Sequence, residues 1–160
     1  MRFLCDEMLQ GLGRWLRAAG YDTFIERGAT PDRLLLERAV RERRYLVTRD
    51  RKLVEHRAAP GIVVLLRGNS LDCCIQELGT RLPVDWLHRP FTRCMLCNRP
   101  LLPIPPESRQ ALPADLQSRA LAVVSCPCCG RWYWEGAHVR RMRARLARWR
   151  EDAEAFRAPG

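Results

Sequence analysis

Cysteine side chains in two closely spaced pairs are the residues of this sequence whose chemistry is plainest. The first pair is Cys94 and Cys97, and the second is Cys126 and Cys129. Each Cys-x-x-Cys turn brings two sulfurs to one point, and two such turns form the tetrahedral four-thiolate site that suits zinc. Four unrelated thiols or two redox pairs are the alternatives. The spacing favours a structural zinc ribbon, which performs no chemistry of its own.

The residues next to the two pairs support this prediction. Asn98 and Gly130 come directly after the two pairs, and both residue types tolerate the positive φ that a turn around a metal-bound sulfur needs. Cys128 lies between the two downstream ligands. Because Cys126-x-Cys128 is too short for this kind of turn, we expect Cys128 to point away from the metal.

Aspartates follow two predicted strands of the first half. Asp6 comes directly after the apolar run Arg2–Cys5, and Asp50 comes shortly after Tyr45–Thr48. Ligands of open parallel sheets bind at the carboxyl ends of the strands, where the strand order reverses. If the first and third strands are neighbours, in an order such as 2-1-3-4, these two carboxylates converge at that edge.

A third aspartate, Asp32, lies in the first turn of the helix predicted to precede the third strand. Three clustered carboxylates repel one another and favour a hard divalent cation such as Mg²⁺ or Mn²⁺. Asp50 could instead cap a short helix, and Asp32 could simply complement a helix dipole. Asp6, at the end of a buried strand, needs a partner or a metal. Glu7 is the candidate for an additional ligand.

Short apolar runs alternate with helical patterns up to about residue 82, which is typical of a parallel α/β sheet. Thr30 is predicted to cap the second helix, with Pro31 at its first position. The predicted strands are Arg2–Cys5, Tyr21–Ile25, Tyr45–Thr48 and Ile62–Leu66, and the predicted helices are Glu7–Ala19, 31–43 and Ser70–Leu82.

The second half is predicted to be a separate module, with residues 1–88 as the α/β domain and 89–160 as the ribbon and a basic C-terminal helix. The proline-rich stretch Leu101–Pro113 is expected to lack regular structure. A helix is predicted from His138 onward, with an apolar seam beneath an arginine-rich face. Its seam residues are Val139, Met142, Leu146, Trp149, Ala153 and Phe156.

Composition limits the class of protein. The chain has 160 residues, 47% of them hydrophobic, which suits one α/β domain plus a small metal-stabilised one. Its formal net charge of +10 favours a polyanionic partner such as nucleic acid. The sequence shows neither an export signal nor an apolar run long enough to span a membrane, so cysteines in metal spacing predict a cytoplasmic protein.

These residues resemble the mut-seven C-terminal RNase family. Asp6, the segments 13–17 (GRWLR), 20–23 (GYDT), 31–32 (PD) and 46–50 (LVTRD) carry the resemblance in the first half. The segments 93–98 (RCMLCN), 126–130 (CPCCG) and 133–142 (YWEGAHVRRM) carry it in the second. The resemblance implies a PIN-like three-layer α/β/α fold with a zinc ribbon, and a metal-dependent RNase activity at Asp6, Asp32 and Asp50. PIN nucleases usually have four acids, and the sequence shows no obvious fourth.

Arginines flank the candidate acids. Guanidinium groups pair two donors with phosphate oxygens, so they are candidate RNA ligands, although each could also belong to an ordinary solvated face. These candidates are Arg14, Arg17, Arg49, Arg51 and, from the basic C-terminal helix, Arg141. Trp132, Tyr133 and Trp134 could stack bases, although at least one of them is expected to pack inside the protein.

Three functions compete at this point. The first is a ribonuclease that uses Mg²⁺ or Mn²⁺ at the aspartates, with Zn²⁺ in the ribbon. The second is a non-catalytic module that binds RNA through the ribbon and the basic helix. The third is a toxin-like RNase or a protein-binding module, in which the helix seam with Trp149 and Phe156 contacts a partner.

Overall fold

The first half of the protein is built on a parallel sheet. The computed structural model describes residues 1–28, 30–55, 61–117 and 122–157. The strands β1 (Arg2–Cys5), β2 (Asp22–Ile25), β3 (Tyr45–Thr48) and β4 (Val63–Leu65) are all parallel and lie in the order β2-β1-β3-β4. In this order β1 and β3 are neighbours, which was the condition for Asp6 and Asp50 to converge.

Helices cover both faces of this sheet. Helix α1 (Gln10–Ala18), preceded by a 3₁₀ turn at Glu7–Leu9, lies on one face together with α3 (Leu71–Arg81), and α2 (Asp32–Glu42) lies on the other. Because strand side chains alternate, Phe3 and Cys5 join the core beneath α1 whereas Leu4 joins the core beneath α2. The fold is the expected three-layer α/β/α arrangement.

The sequence predicted the start of α3 correctly but not the cap of α2. Ser70 caps α3, and its side chain accepts a hydrogen bond from the Cys73 amide. The prediction that Thr30 caps the second helix was wrong, since Pro31 occupies the capping position without a side-chain bond and Asp32 is the first helical residue. Asp32 therefore lies where a carboxylate favours the helix dipole.

Helix α1 packs closely on the sheet and on the segment that leads to the ribbon. A Cβ on Gly13 would lie 2.6 Å from the Ile25 side chain, so only glycine permits this approach. Gly20, at φ +99°, lies with its Cα against the Arg89 carbonyl, where a Cβ would come within 2.3 Å of the oxygen. These two glycines explain how the sheet, the helix and the following segment come so close together.

The second half contains a small antiparallel sheet. Strands β5 (Leu102–Pro103), β6 (Val123–Ser125) and β7 (Trp132–Trp134) lie in that order, with a short helix α4 (Ala114–Gln117) between β5 and β6. The expectation of no regular structure over Leu101–Pro113 was wrong, since β5 and a 3₁₀ helix at Pro106–Ala111 both fall there. Leu112, Leu116 and Val123 form a separate small core.

Helix α5 (Ala137–Arg157) returns to the first half of the protein. Leu146 and Trp149 are buried in the same core as α1 and α3, and the Trp149 ring meets Trp15 edge-on at 4.7 Å between centroids. The seam of this helix is therefore covered by the sheet domain at Leu146 and Trp149. This packing counts against the third of the competing functions, in which Trp149 contacts a partner. Phe156 is 78% exposed. Within the described part of the chain, every helix is too short or too polar to cross a membrane.

Candidate active site and metal centre

The carboxyl ends of three neighbouring strands carry acidic residues. Asp6 follows β1, Glu26 follows β2, and Asp50 follows β3 at a distance of two residues. The crossover through α1 leads from β1 to β2 on one side, and that through α2 leads to β3 on the other, so the order reverses between β1 and β3. This is the point where open parallel sheets bind ligands.

Asp6 is held rigidly at this edge. It is 7% exposed, and its Oδ1 accepts a hydrogen bond from the Leu9 amide at 3.1 Å. Its Oδ2 accepts bonds from the Thr48 hydroxyl and from the Arg49 amide. Each carboxylate oxygen has two acceptor sites, so these three bonds orient the group and leave room for a cation.

Asp50 is fixed by the same network. Its amide donates to the Thr48 Oγ1 at 2.9 Å, and its Oδ1 accepts a bond from the Lys52 amide at 2.9 Å. Thr48 thus links the two aspartates, because its hydroxyl contacts the carboxylate of one and the backbone of the other.

A pocket of about 120 Å³ opens between these residues. It is lined by all three predicted aspartates, Asp6, Asp32 and Asp50, and by two glutamates, Glu7 and Glu26. We call this space the acid pocket. Oxygen ligands of this kind are what Mg²⁺ and Mn²⁺ take, so the donor set fits such an ion.

Glu26 is the residue of the acid pocket that sequence reasoning missed. Its Oε1 accepts hydrogen bonds from the amides of Arg27 and Gly28, which folds the loop after β2 towards the pocket. The signal was present, since Glu26 follows directly after the second strand as Asp6 follows the first. Applying the strand-end rule to every strand would have found it.

The four predicted cysteines gather at one point in the second half. The sulfurs of Cys94, Cys97, Cys126 and Cys129 lie within 4.8 Å of one another and could hold a metal ion such as zinc. The Cys94 and Cys129 sulfurs are 3.8 Å apart. Two sulfurs that each lie about 2.3 Å from a tetrahedral zinc ion are roughly 3.8 Å apart, which matches this separation. Among the described residues, no other group of three or more cysteine, histidine or acidic side chains lies as close together.

Two similar turns hold the sulfurs. The Asn98 amide donates to the Cys94 carbonyl, and the Gly130 amide donates to the Cys126 carbonyl, each at 2.9 Å. Asn98 has φ 63° and Gly130 has φ 67°, as predicted for these positions. Cys128 is exposed and is not one of the four, although its thiol lies close enough to Cys97 to affect the pKa of that group.

Hydrogen bonds prepare Cys94 to carry a negative charge. Burial opposes ionisation of its thiol, but the Tyr133 hydroxyl at 3.1 Å and the backbone amides of Cys97 and Leu96 lower its pKa to about 7. A thiolate is the form that binds metal. Tyr133, an aromatic residue considered for base stacking, therefore contacts the metal centre with its hydroxyl.

The first of the two turns is bonded to the edge of the parallel sheet. The Asn98 side chain donates to Asp22 Oδ1 at 2.7 Å and accepts a bond from the Thr23 amide at 3.0 Å. Asp22 also pairs with Arg44 at 2.8 Å. Burial alone would raise the pKa of Asp22, but the bonds from Arg44 and Asn98 outweigh it and lower the pKa below its ordinary value.

Arg17 is a structural residue of the same contact. It is 4% exposed, and it donates to the carbonyls of Thr23, Met95 and Leu96 at 2.7 to 2.9 Å. Burial lowers the pKa of Arg17 to about 10, so it stays charged at neutral pH. The prediction that Arg17 binds phosphate is corrected here, because its donors are already directed at backbone carbonyls inside the protein.

The other candidate arginines lie on the surface. Arg14, Arg51 and Arg141 are exposed, and Arg49 is partly buried with its Nη2 donating to Asn69 Oδ1 at 2.9 Å. Arg49 and Arg51 are the sequence neighbours of Asp50, which lines the acid pocket, although neither arginine lines the pocket itself. Their contact with RNA remains a prediction.

Comparisons with known proteins identify the family. The family model described as the Mut7-C RNAse domain matches residues 1–146, which includes the acid pocket, the four cysteines and most of the chain. A comparison with curated proteins gives no match, and neither does a comparison with solved structures.

Proposed function

The chain belongs to the Mut7-C RNAse domain family, and we propose that it hydrolyses RNA phosphodiester bonds at the acid pocket with the help of a bound divalent cation. The observation that carries this proposal is the convergence of five acidic side chains on one small pocket at the switch point of the sheet. A structural zinc ion at the four cysteines is the second part of the proposal.

Asp6, Asp32, Asp50 and Glu26 are the residues that would hold Mg²⁺ or Mn²⁺. Such an ion supplies charge for a phosphoryl oxygen and lowers the pKa of a bound water. The chain's own contribution is orientation. Thr48 and the Leu9 and Arg49 amides hold the Asp6 carboxylate in place, so binding an ion there requires little rearrangement.

Arginines beside the pocket suit the substrate. Arg49 and Arg51 flank Asp50 in the sequence, and their positive charge would offset the repulsion between the acids and an approaching phosphodiester. No side-chain nucleophile is needed when water attacks the phosphorus. The net charge of +10 further favours a polyanionic substrate.

The test is cleavage of single-stranded RNA and DNA by the purified protein in Mg²⁺, in Mn²⁺ and after removal of divalent ions by dialysis. We expect RNA to be cut only with an added ion. Asp6→Asn and Asp50→Asn should each lower the rate by about a hundredfold or more, since the lost interaction amounts to several kcal/mol. Asp32→Asn should have an equal or smaller effect.

The matched control is Asp152→Asn, which removes an exposed carboxylate of α5 far from the acid pocket. It should cleave like the wild type. Circular dichroism should show all four variants folded. Wild-type rates in both Asp6→Asn and Asp50→Asn would overturn the proposal, as would RNA binding without any cleavage in Mn²⁺.

A further inference from the structure

A second cavity, of about 500 Å³, lies between the ribbon and α1 and has the opposite character from the acid pocket. Aromatic and basic side chains line it, among them Arg14 from α1, Arg131, Trp132 and Trp134 from the ribbon, and His138 from α5. None of its lining residues in the described chain is acidic. We call it the aromatic groove.

We propose that the aromatic groove binds the bases of single-stranded RNA a few nucleotides from the scissile bond. Trp132 and Trp134 alternate with Tyr133 on β7, so their side chains emerge from one face of the strand. Trp132 packs partly on the small core of the ribbon, whereas Trp134 is 37% exposed. An anchored indole beside an exposed one is a platform for stacked bases.

Charge decides between RNA and an apolar partner. Arg14, Arg131 and His138 are all exposed, and the described lining offers them no carboxylate. Arginines can hold the phosphates while the aromatic faces hold the bases, which is the combination that single-strand binding surfaces use. A purely apolar protein segment would leave the two guanidinium groups without partners. The choice of RNA, rather than another single-stranded polyanion, rests on the proposed function.

Two connections place the groove beside the acid pocket. Along the chain, Glu7 lines the acid pocket and Arg14 lines the groove, and the helical rise between them is roughly 10 Å. The second connection is Arg27, whose backbone amide donates to the side chain of Glu26 in the acid pocket. Its Nη2 donates to the carbonyl of Leu96 at 3.3 Å, and Leu96 lines the groove. Stacked nucleotides rise about 3.4 Å each, so roughly three of them span the gap.

The test measures binding rather than cleavage. The probe is a fluorescein-labelled, unstructured RNA of roughly 12 nucleotides, and its affinity is measured by anisotropy with protein in an Asp6→Asn background, so that the RNA stays intact. Trp134→Leu, which keeps apolar bulk but removes the aromatic face, should weaken binding about tenfold. Trp134→Phe should restore most of the affinity.

Phe156→Leu is the matched control, because Phe156 is an exposed aromatic residue of α5 outside the groove. It should bind RNA like the parent protein. A second probe carries abasic sites along the strand. Abasic sites should weaken binding to the parent but not weaken it further in Trp134→Leu, since the stacking partner is already missing. Arg131→Gln provides an independent variant, expected to bind less tightly and with a weaker dependence on salt.

The outcomes separate this inference from the proposed function. Weaker binding by Trp134→Leu and Arg131→Gln, together with no cleavage by the wild type in Mn²⁺, would support RNA binding at the groove and overturn the proposed nuclease function. Cleavage by the wild type, with an unchanged affinity in Trp134→Leu and Arg131→Gln, would support the nuclease function and overturn RNA binding at the groove. An equal loss of affinity in Phe156→Leu also removes the groove.

Discussion

The cysteine centre and the acid pocket are the two candidate cation sites of the protein, and they are assembled in different ways. The cysteine sulfurs come from two tight turns and lie within 4.8 Å of one another. The carboxylates come from the ends of separate strands and from the start of α2, and they surround a space of about 120 Å³. Among the described residues they do not form so close a group.

Under the proposed function, this difference corresponds to two uses of a metal ion. Four protein ligands complete a tetrahedral site, so an ion there has no position left for a substrate and contributes to folding. Carboxylates spread around an open pocket leave positions for water and for a phosphate. The comparison predicts that damage to the first site affects stability, and that damage to the second affects activity.

Loss of a cysteine ligand should have the largest effect. Cys126→Ser is expected to lose zinc and to unfold the ribbon, because metal binding of this kind contributes on the order of 10 kcal/mol to folding. Zinc content and near-UV circular dichroism are the measurements. Cys128→Ser, in the same turn but outside the four, should keep its zinc. Zinc retained by Cys126→Ser and lost from Cys128→Ser would reverse the ligand assignment.

Arg17→Met should have the next largest effect, since it tests how firmly the ribbon is held on the sheet. Methionine keeps the unbranched apolar stem of the side chain but removes the hydrogen bonds from Arg17 to three carbonyls. We expect the free energy of unfolding in urea to fall by about 3 kcal/mol. Arg14→Met, on an exposed position of the same helix, should change it by less than about 0.5 kcal/mol. Equal effects would mean that Arg17 does not hold the two parts together.

Glu26→Gln should reduce activity without reducing stability. Glutamine keeps the acceptor for the Arg27 and Gly28 amides but removes the charge. We expect a loss of roughly 10- to 100-fold in kcat/KM and a higher Mn²⁺ requirement. Glu37→Gln, an exposed position of α2, is the control. Activity that matches this control at every Mn²⁺ concentration would exclude Glu26 from the site.

The smallest expected effect is a pH dependence at the contact between ribbon and sheet. The folded pKa of Asp22 is lower than its ordinary value of 3.8, so its contribution to stability is present above about pH 4 and is lost as the pH falls through the lowered pKa. Wild type should exceed Asp22→Asn by about 1 kcal/mol in free energy of unfolding at pH 7.

That difference should shrink towards zero between pH 4 and lower values, and comparing the two proteins at each pH removes the effect of acid on the cysteines. A difference that stays constant down to pH 2.5 would show that Asp22 does not act through its charge.

Much of the fold could be predicted because local patterns determine it. Short apolar strands alternate with amphipathic helices, and this alternation was enough to place β1 to β4, whereas their order entered only as a condition that the structure meets. The cysteine spacing likewise identified the group that the structure brings together. The position of Asp6 at the edge of the sheet followed from its place directly after a predicted strand.

What could not be predicted depends on contacts between distant parts of the chain. Arg17 resembled a surface arginine in the sequence, and only the position of Met95 and Leu96 shows that it is buried. The apolar seam of α5 likewise does not reveal which residues cover Trp149, since its partners Trp15 and Trp86 lie far from it along the chain. Helical periodicity gives the face of a helix but not the surface that covers it.

The position of α5 has a consequence for synthesis of the protein. Leu146 and Trp149 complete the core that contains Phe3 and Leu12. The strands of the parallel sheet leave the ribosome before α5, so they wait for that helix before their core is closed. Such distant contacts slow folding and leave apolar surface open to association in the meantime. Ribosome-stalled chains that end before residue 137 are therefore expected to be cut rapidly by protease, and chains that extend beyond α5 should resist it.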